Sequence, residues 1–409
     1  MNTSNNWIKF RFDEIVQNIT DRVPIPSESG LEYYIGLEHL DTDQIRIKRF
    51  GSTKDVNATK FLCKKGDIIF GKRNAYLRKV AITDRDAVVS AHSMVFRPTE
   101  KIDEKFLHCF LQSSTFWKIA HAVSEGSMSP TIKWKILAKQ EFLLPNLDEQ
   151  KKIADLLWSI EDNIEKNENL IKINEKLKKG LLDELLIKGI GHTKLKKTKI
   201  GEIPEDWDLV TFESLSKVFT KQTGFDYSKT IKPSLSKGFK ENHIPFIQNK
   251  DFEDKEINFN TDYYIPEEVA KNFKKILLDE KCLLISISGR IGNIGLFSNE
   301  RLAFIGGAIA IVKFKDETYL EWCMRFFKSK PGQDQLFLNV KASSHQNLIL
   351  SDLRKLLIPI PKEKEMNDIL FKINEVDNLL NKMIQNKDSL YQLKKKMTDE
   401  IFKREVKLK

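Results

Sequence analysis

The stretch from Leu147 to Lys188 constrains this chain more than any other. Pro145 and Asn146 precede it, Asp148 and Glu149 put negative charge into its first turn, and no proline interrupts it. These are start signals for a helix with no stop signal behind them. Apolar residues recur in two interleaved heptad series. One holds Ile153, Ile160 and Leu181, with Asn167 and Asn174 in its gaps; the other holds Leu157, Ile164, Ile171 and Leu185, with Lys178 in its gap. Steps that alternate three and four residues predict one narrow apolar seam, which suits a coiled-coil partner. About forty helical residues make a rod roughly 60 Å long. Asparagines in such a seam cost stability but fix register and partner.

The same chain supplies the partner. An offset of 216 residues uncovers a second seam of Ile369, Val376, Met383, Leu390 and Met397, interleaved with Ile373, Leu380 and Ile401, and Lys178 falls on Lys394. Residues 177–186 and 393–402 share Leu-Lys-Lys and Asp-Glu without a gap. Around each rod the chain repeats its programme. Trp7 and Phe12 are answered by Trp207 and Phe212, the apolar run at 66–70 by 282–286, and the run at 88–96 by 305–314. Helices are expected at 103–123 and 319–327, and strands at 33–39 and 45–47. The expected layout is a globular domain over 1–146, a long helix over 147–188 and a Gly-, Lys- and Thr-rich linker over 189–203. A second domain over 204–360 and a second long helix over 361–409 complete it. The fold class is mixed α/β, with two domains joined by an antiparallel coiled coil in an internal duplication.

Charge adds a direction. Lys and Arg number 68 against 58 Asp and Glu, a net charge of +10 with a pI near 9.1. That points moderately to a nucleic-acid partner. No apolar run approaches a membrane span and no signal peptide opens the sequence. Cys63, Cys109, Cys282 and Cys323 are far apart, as expected of free buried thiols in a reducing cytoplasm.

Three passages carry a resemblance: Leu-Pro-Asn-Leu-Asp-Glu-Gln-Lys-Lys-Ile-Ala (144–154), Ile-Gly-Glu-Ile-Pro-Glu-Asp-Trp (200–207) and Gly-Asp-Ile-Ile-Phe-Gly-Lys-Arg (66–73). With the order domain, helix, domain, helix, the chain resembles the specificity subunit of a type I restriction-modification enzyme along essentially its whole length. It departs from that pattern at Met366, where the family's second rod usually has Gln. The resemblance implies two target-recognition domains, each reading half of a bipartite, asymmetric double-stranded DNA sequence. It also implies two methylation subunits docked on the rods, restriction subunits for cleavage, and S-adenosylmethionine, ATP and magnesium bound by those partners.

The residues themselves offer no catalytic machinery. An adenine methyltransferase needs an Asn/Asp-Pro-Pro-aromatic corner, and none of the twelve prolines is adjacent to another. Neither a dinucleotide-binding Gly-x-Gly-x-x-Gly nor a P-loop occurs. Gly289, Gly292 and Gly295 recur every third residue, but no Lys-Ser cradle follows. Glu149-Gln150-Lys151 imitates a nuclease motif, yet it sits in a first helical turn, where acids serve the dipole. The histidines, His108 and His192 among them, lack metal spacing.

DNA-reading candidates therefore rest on residue type and placement. In the first domain they are Lys72, Arg73, Tyr76, Arg78 and Lys79 in a Gly-opened segment between two strands, with Arg46, Lys48 and Arg49 for phosphates. In the second they are Gln248, Asn249, Lys250, Ser286, Ser288, Arg290 and Asn293, with Ser343 and Gln346. The rival classes are a duplicated coiled-coil scaffold that binds only proteins and a stand-alone methyltransferase or nuclease. A mobility-shift assay separates the scaffold from a DNA reader, and the missing motifs disfavour the enzymes.

Overall fold

The computed structural model describes residues 7–253, 256–298, 300–338 and 347–403, so Ser343 and Gln346 lie outside the described residues. The chain forms two units, one of the residues up to Leu170 with those from Met383 onward, the other of Ile171–Lys382.

In the first unit, Ile68–Gly71 is the strand around which packing is arranged. Its side chains alternate between faces, so Ile68 and Phe70 enter one core while Ile69 enters another with Ile35, Val89 and Val95. A strand buried on both faces reads as a continuous apolar run, which is why the sequence shows Ile-Ile-Phe. Its sheet has the order Val16–Ile19, Ser93–Pro98, Ile68–Gly71, Val80–Ile82, all antiparallel. A five-stranded sheet is mixed, with Tyr33–Ile35 parallel to Ala87–Val89. Phe12, Phe96, Phe106, Phe110, Phe116 and Trp117 fill the larger core, which Leu157 and Phe402 from the two long helices complete.

The second unit repeats this plan. Ser216–Lys221, Ile309–Phe314, Cys282–Ser286 and Ile294–Phe297 form the four-stranded sheet. Leu283 and Ile285 face one core, Cys282 and Leu284 the other. In the mixed sheet His243–Ile247 runs parallel to Ala303–Ile305.

Several sequence expectations change here. The runs at 88–96 and 305–314 are not single strands. Each splits in two, Ala87–Val89 with Ser93–Pro98 and Ala303–Ile305 with Ile309–Phe314, and the halves belong to different sheets. The breaks fall at Ser90-Ala91-His92 and Gly306-Gly307-Ala308. Ser90 N donates to Ile35 O (2.9 Å), and Gly306 N to Ile247 O (2.8 Å). The helix expected at 103–123 is two helices, because Ser113 ends the first and its Oγ accepts from Phe116 N (3.2 Å) to cap the next. The strand at 33–39 stops at Ile35 and yields to a 3₁₀ turn, Leu37–His39, while 45–47 offers only a bridge between Arg46 and Ile82. Part of the linker is ordered as a hairpin of Leu195–Thr198 with Gly201–Pro204. Glu365 fastens its flanks, accepting from Ile190 N (3.0 Å) and Trp207 Nε1 (2.9 Å).

The long helices span Leu147–Lys188 and Glu363–Lys403. Within each unit they run antiparallel. In the first unit Glu168 meets Tyr391 (2.9 Å) and Glu161 meets Lys394 (2.6 Å); in the second Lys178 meets Asp377. The buried stripe is broader than a two-position seam, because each helix covers both its partner and the core of a domain. Leu157, Ile160, Ile164, Ile171, Leu185, Ile369, Ile373 and Leu380 are buried. Ile153, Asn167, Asn174, Val376, Met383, Leu390, Met397 and Ile401 are half-buried. Leu181 is 38% exposed; Leu182, one residue further round, packs on the core instead. The same one-residue rotation buries Ala154, Glu161, Asp377 and Thr398.

The charges so buried are paired twice over. The 216-residue offset carries Glu161 to Asp377 and Lys178 to Lys394. One duplicated acid–lysine pair therefore closes the helices in both units, with the donor helix exchanged. Arg325 also binds Asp377 (2.5 Å).

Candidate nucleic-acid interface

In the first unit the break at 90–92 sets the imidazole of His92 beside the segment that follows Ile68–Gly71. Lys72 N donates to His92 O (3.2 Å), and Arg73 Nη1 lies 3.4 Å from His92 Nε2. Arg73 bridges Thr131, and Ile132 N donates to Lys72 O (2.9 Å). Asn74 and Arg78, both with left-handed φ, bracket the turn Ala75–Leu77 and reverse the chain sharply there. Lys72, Arg73 and His92 thus crowd together. Burial, then Arg73, lowers the Lys72 pKa; burial, then Arg73, Lys72 and Lys60, lowers that of His92. Among the described residues no carboxylate pairs with Lys72 or Arg73. Such a cluster favours an anion, and Tyr76, 60% exposed, stands four residues past Lys72.

The other basic candidates of this unit are engaged within the chain. Arg46 lies over the Trp158 ring (4.8 Å) and binds Asp162 and Glu165 at 2.8 Å each, and Lys48 binds Glu168 at 2.5 Å. These two clasp the first long helix. Arg49 pairs with Asp41 (2.5 Å), Arg78 donates to Gln112 O (2.6 Å), and Lys79 donates to Leu37 O (2.7 Å). His92 was missing from the sequence candidates, because only the strand break brings it to Arg73.

In the second unit Gln248, Asn249 and Lys250 follow the strand His243–Ile247 on a 3₁₀ turn that Asp251 fastens, its Oδ2 accepting from Gln248 N (2.8 Å). With Gly306, Gly307, Ala308 and Ile309 they line a cavity of about 300 Å³. Asn249 Nδ2 donates to Ser288 O, and Lys250 pairs with Asp262. Ser286 and Asn293 are inward members of the loop: Ser286 Oγ donates to Arg290 O and accepts from Asn293 N (2.8 Å). Gly289 and Gly292 take left-handed φ in that turn, and Ser288 bridges Asn347.

Other chemistry finds little support. Among the described residues no group of His, Cys, Asp and Glu is placed to hold a metal. All four cysteines are buried, and burial pushes the Cys63 and Cys109 thiols up to about 12, far from a reactive thiolate. No described helix is long and apolar enough to cross a membrane.

Comparisons with known proteins agree with this architecture. Residues 7–177 match the model of the type I restriction modification DNA specificity domain. The specificity subunit of the type I restriction enzyme MjaVIII from Methanocaldococcus jannaschii is 22% identical over 419 residues, covering 99% of this chain and 94% of that protein. A structure from work on complex assembly and conformational transition of the type I R-M system superposes with a TM-score of 0.62. It is 17% identical and covers 98% of this chain and 99% of its own. The type I S subunit from M. genitalium gives 0.52 at 16% identity, with 98% of each chain covered. Residues 7–177 thus match the type I restriction modification DNA specificity domain, and along nearly its whole length the chain is similar to type I restriction enzyme specificity subunits.

Proposed function

We propose that this chain is the DNA-reading, non-catalytic subunit of a type I assembly, recognising a bipartite, asymmetric duplex target. One observation carries the reading: a repeated scaffold presents two dissimilar polar surfaces at equivalent places. Lys72 N bonds His92 O as Ile287 N bonds Ala308 O (2.9 Å), so the two turns correspond. Yet the first turn offers Lys72, Arg73 and His92, and the second Gly306, Gly307, Gln248 and Asn249. Cations serve phosphates and guanine edges, whereas carboxamides suit adenine. Two methylation subunits on the long helices, with restriction subunits for cleavage, supply what the chain lacks. Methyl donor, ATP and magnesium belong to those partners, in the cytoplasm, and methylation falls on an adenine flipped from the duplex.

The test exchanges one reader. Replacing residues 1–146 with the matching domain of a relative, in cells that carry the methylation subunits, is expected to change one half of the methylated motif and leave the other intact. If both halves changed together, the two-reader assignment would fail.

A further inference from the structure

The two units differ in the connection that leads from the first strand of the four-stranded sheet into the mixed sheet. In the first unit, between Val16–Ile19 and Tyr33–Ile35, residues 20–32 carry one base, Arg22, against three acids, Asp21, Glu28 and Glu32. In the second, between Ser216–Lys221 and His243–Ile247, residues 222–242 form a longer and basic connection. It holds Lys229, Lys232, Lys237 and Lys240 against Asp226 and Glu241, with Lys221 just before it. The two connections also run to different margins. Counted from the parallel strand pair, the first adds Arg22–Val23 beyond Lys60–Cys63, on the Ala87–Val89 side. The second adds Ser236–Lys237 beyond Tyr263–Pro266, on the His243–Ile247 side.

The basic connection is built with one face inward. Residues 224–234 are helical, and Thr223 caps them, its Oγ1 accepting from Asp226 N (3.2 Å). Ile231 lies in the core with Phe246 and Ile265, and Tyr227 and Leu235 pack against that core. These three are four residues apart and share a helix face, which leaves Phe225 and Lys229 together on another. Phe225 is 72% exposed, with Lys229 Nζ 5.4 Å from its ring centroid. Gly238 has left-handed φ and nothing within 4 Å of where a Cβ would stand, so the chain turns there in open space. Phe239 follows, 75% exposed. Lys221, Lys229, Lys232, Lys237 and Lys240 are all exposed, and among the described residues no carboxylate pairs with any of them.

Both ends of this segment border the cavity of Gln248, Asn249 and Lys250. At its start Lys221 lies opposite Ala310, the neighbour of Ile309 in the cavity wall. Towards its end Gly238 N donates to Asp262 O (3.0 Å), and Asp262 pairs with Lys250. Five cations that nothing in the unit neutralises, with two exposed rings among them, suit a polyanion that has apolar faces between its charges. Duplex DNA presents that pattern as phosphates and deoxyribose.

We propose that residues 221–240 grip the DNA backbone beside the half-site taken by the second unit, the lysines on phosphates and Phe225 and Phe239 against deoxyribose. The grip is independent of sequence and has no counterpart in the first unit, where the equivalent connection is acidic. This rests on the chain being a DNA-specificity subunit. An acidic protein would draw the same lysines, but their place favours DNA, because the segment flanks at both ends the polar surface assigned to the second half-site.

The experiment uses the full chain with its methylation subunits, and measures binding of a target duplex and an unrelated duplex over a range of salt. Each phosphate contact contributes about 0.9 to the slope of log K against log salt concentration. Lys229→Gln, Lys232→Gln, Lys237→Gln and Lys240→Gln combined should lower that slope by about two or more. Both duplexes should weaken by the same factor, about tenfold or more, with the methylated motif unchanged. The same four positions changed to Arg should keep the slope. Phe225→Ser with Phe239→Ser should weaken both duplexes at an unaltered slope. Phosphate ethylation should interfere beside the half-site that survives exchange of residues 1–146, and should cease to interfere in the glutamine variant. An unaltered slope in that variant overturns the grip, and weaker assembly with the methylation subunits at that same slope assigns the segment to a protein instead. A motif altered at any base overturns it too, by making the lysines readers. Unaltered affinity in the serine variant removes the rings from the contact. A wild-type complex with no sequence preference at all overturns the functional reading beneath the proposal.

Discussion

His92 owes its setting to neighbours that repel its proton. Burial and the cations Arg73, Lys72 and Lys60 hold its pKa below the usual value of 6.5. A phosphate placed among these groups reverses the largest electrostatic part of that shift, so the bound form takes up a proton more readily than the free form. Affinity for duplex DNA should therefore rise as pH falls through the bound-state pKa and level off below the free-state one. The gain is about tenfold for each unit by which binding raises the pKa. Fluorescence anisotropy at constant salt from pH 8 to 6 measures it, and His92→Asn should flatten the slope. A slope that survives the substitution would place the titrating group elsewhere. The sequence made Lys72 and Arg73 visible, as basic residues in a Gly-opened segment. It could not show that Arg46 and Lys48 find acids on the first long helix, since such a pairing depends on register across the fold.

At the scale of elements, the long helices hold charge where an apolar seam was expected. Glu161 and Lys394 are 7% and 10% exposed as side chains and 2.6 Å apart. Removing one partner strands the other in a dry place, at a cost of about 3–5 kcal/mol. Glu161→Ala should lower stability by that order in denaturant unfolding. The double variant Glu161→Leu with Lys394→Leu should recover most of the loss, because well-packed apolar residues replace buried pairs at little net cost. A loss below about 1 kcal/mol in the single variant would mean that the pair is solvated. Heptad spacing made the helices legible, including Lys178 and Lys394 as irregularities. Their acids stayed hidden, because they lie one residue round from the predicted series, where polar residues read as surface. The strand breaks were hidden for a similar reason: an apolar run looks the same whether it serves one sheet or two.

At the scale of the whole molecule, each long helix passes without interruption from one unit into the other. In the proposed function this makes helix length the quantity to which the spacer of the DNA target is matched. Four residues inserted at corresponding points of both helices add about 6 Å and turn the chain by roughly 40°. DNA advances about 3.4 Å per base pair, and turns roughly 35° for a repeat of about 10–10.5 base pairs. Translation asks for nearly two more base pairs and rotation for about one. The methylated motif should gain one or two base pairs between unchanged half-sites, with some loss of stability from the broken register. An active insertion variant with its spacer unaltered would separate helix length from DNA spacing.

The duplicated acid–lysine pair has a further consequence, for inheritance. A crossover that replaces only residues before 147 leaves Glu161, Lys178, Asp377 and Lys394 together, so a new reader need only meet the first helix where Arg46 and Lys48 now clasp it. A crossover beyond Lys178 imports a foreign first helix, which must bring an acid to face Lys394 and a base to face Asp377. Lineages that keep both charges can exchange whole halves, and those that have lost one are confined to exchanging domains.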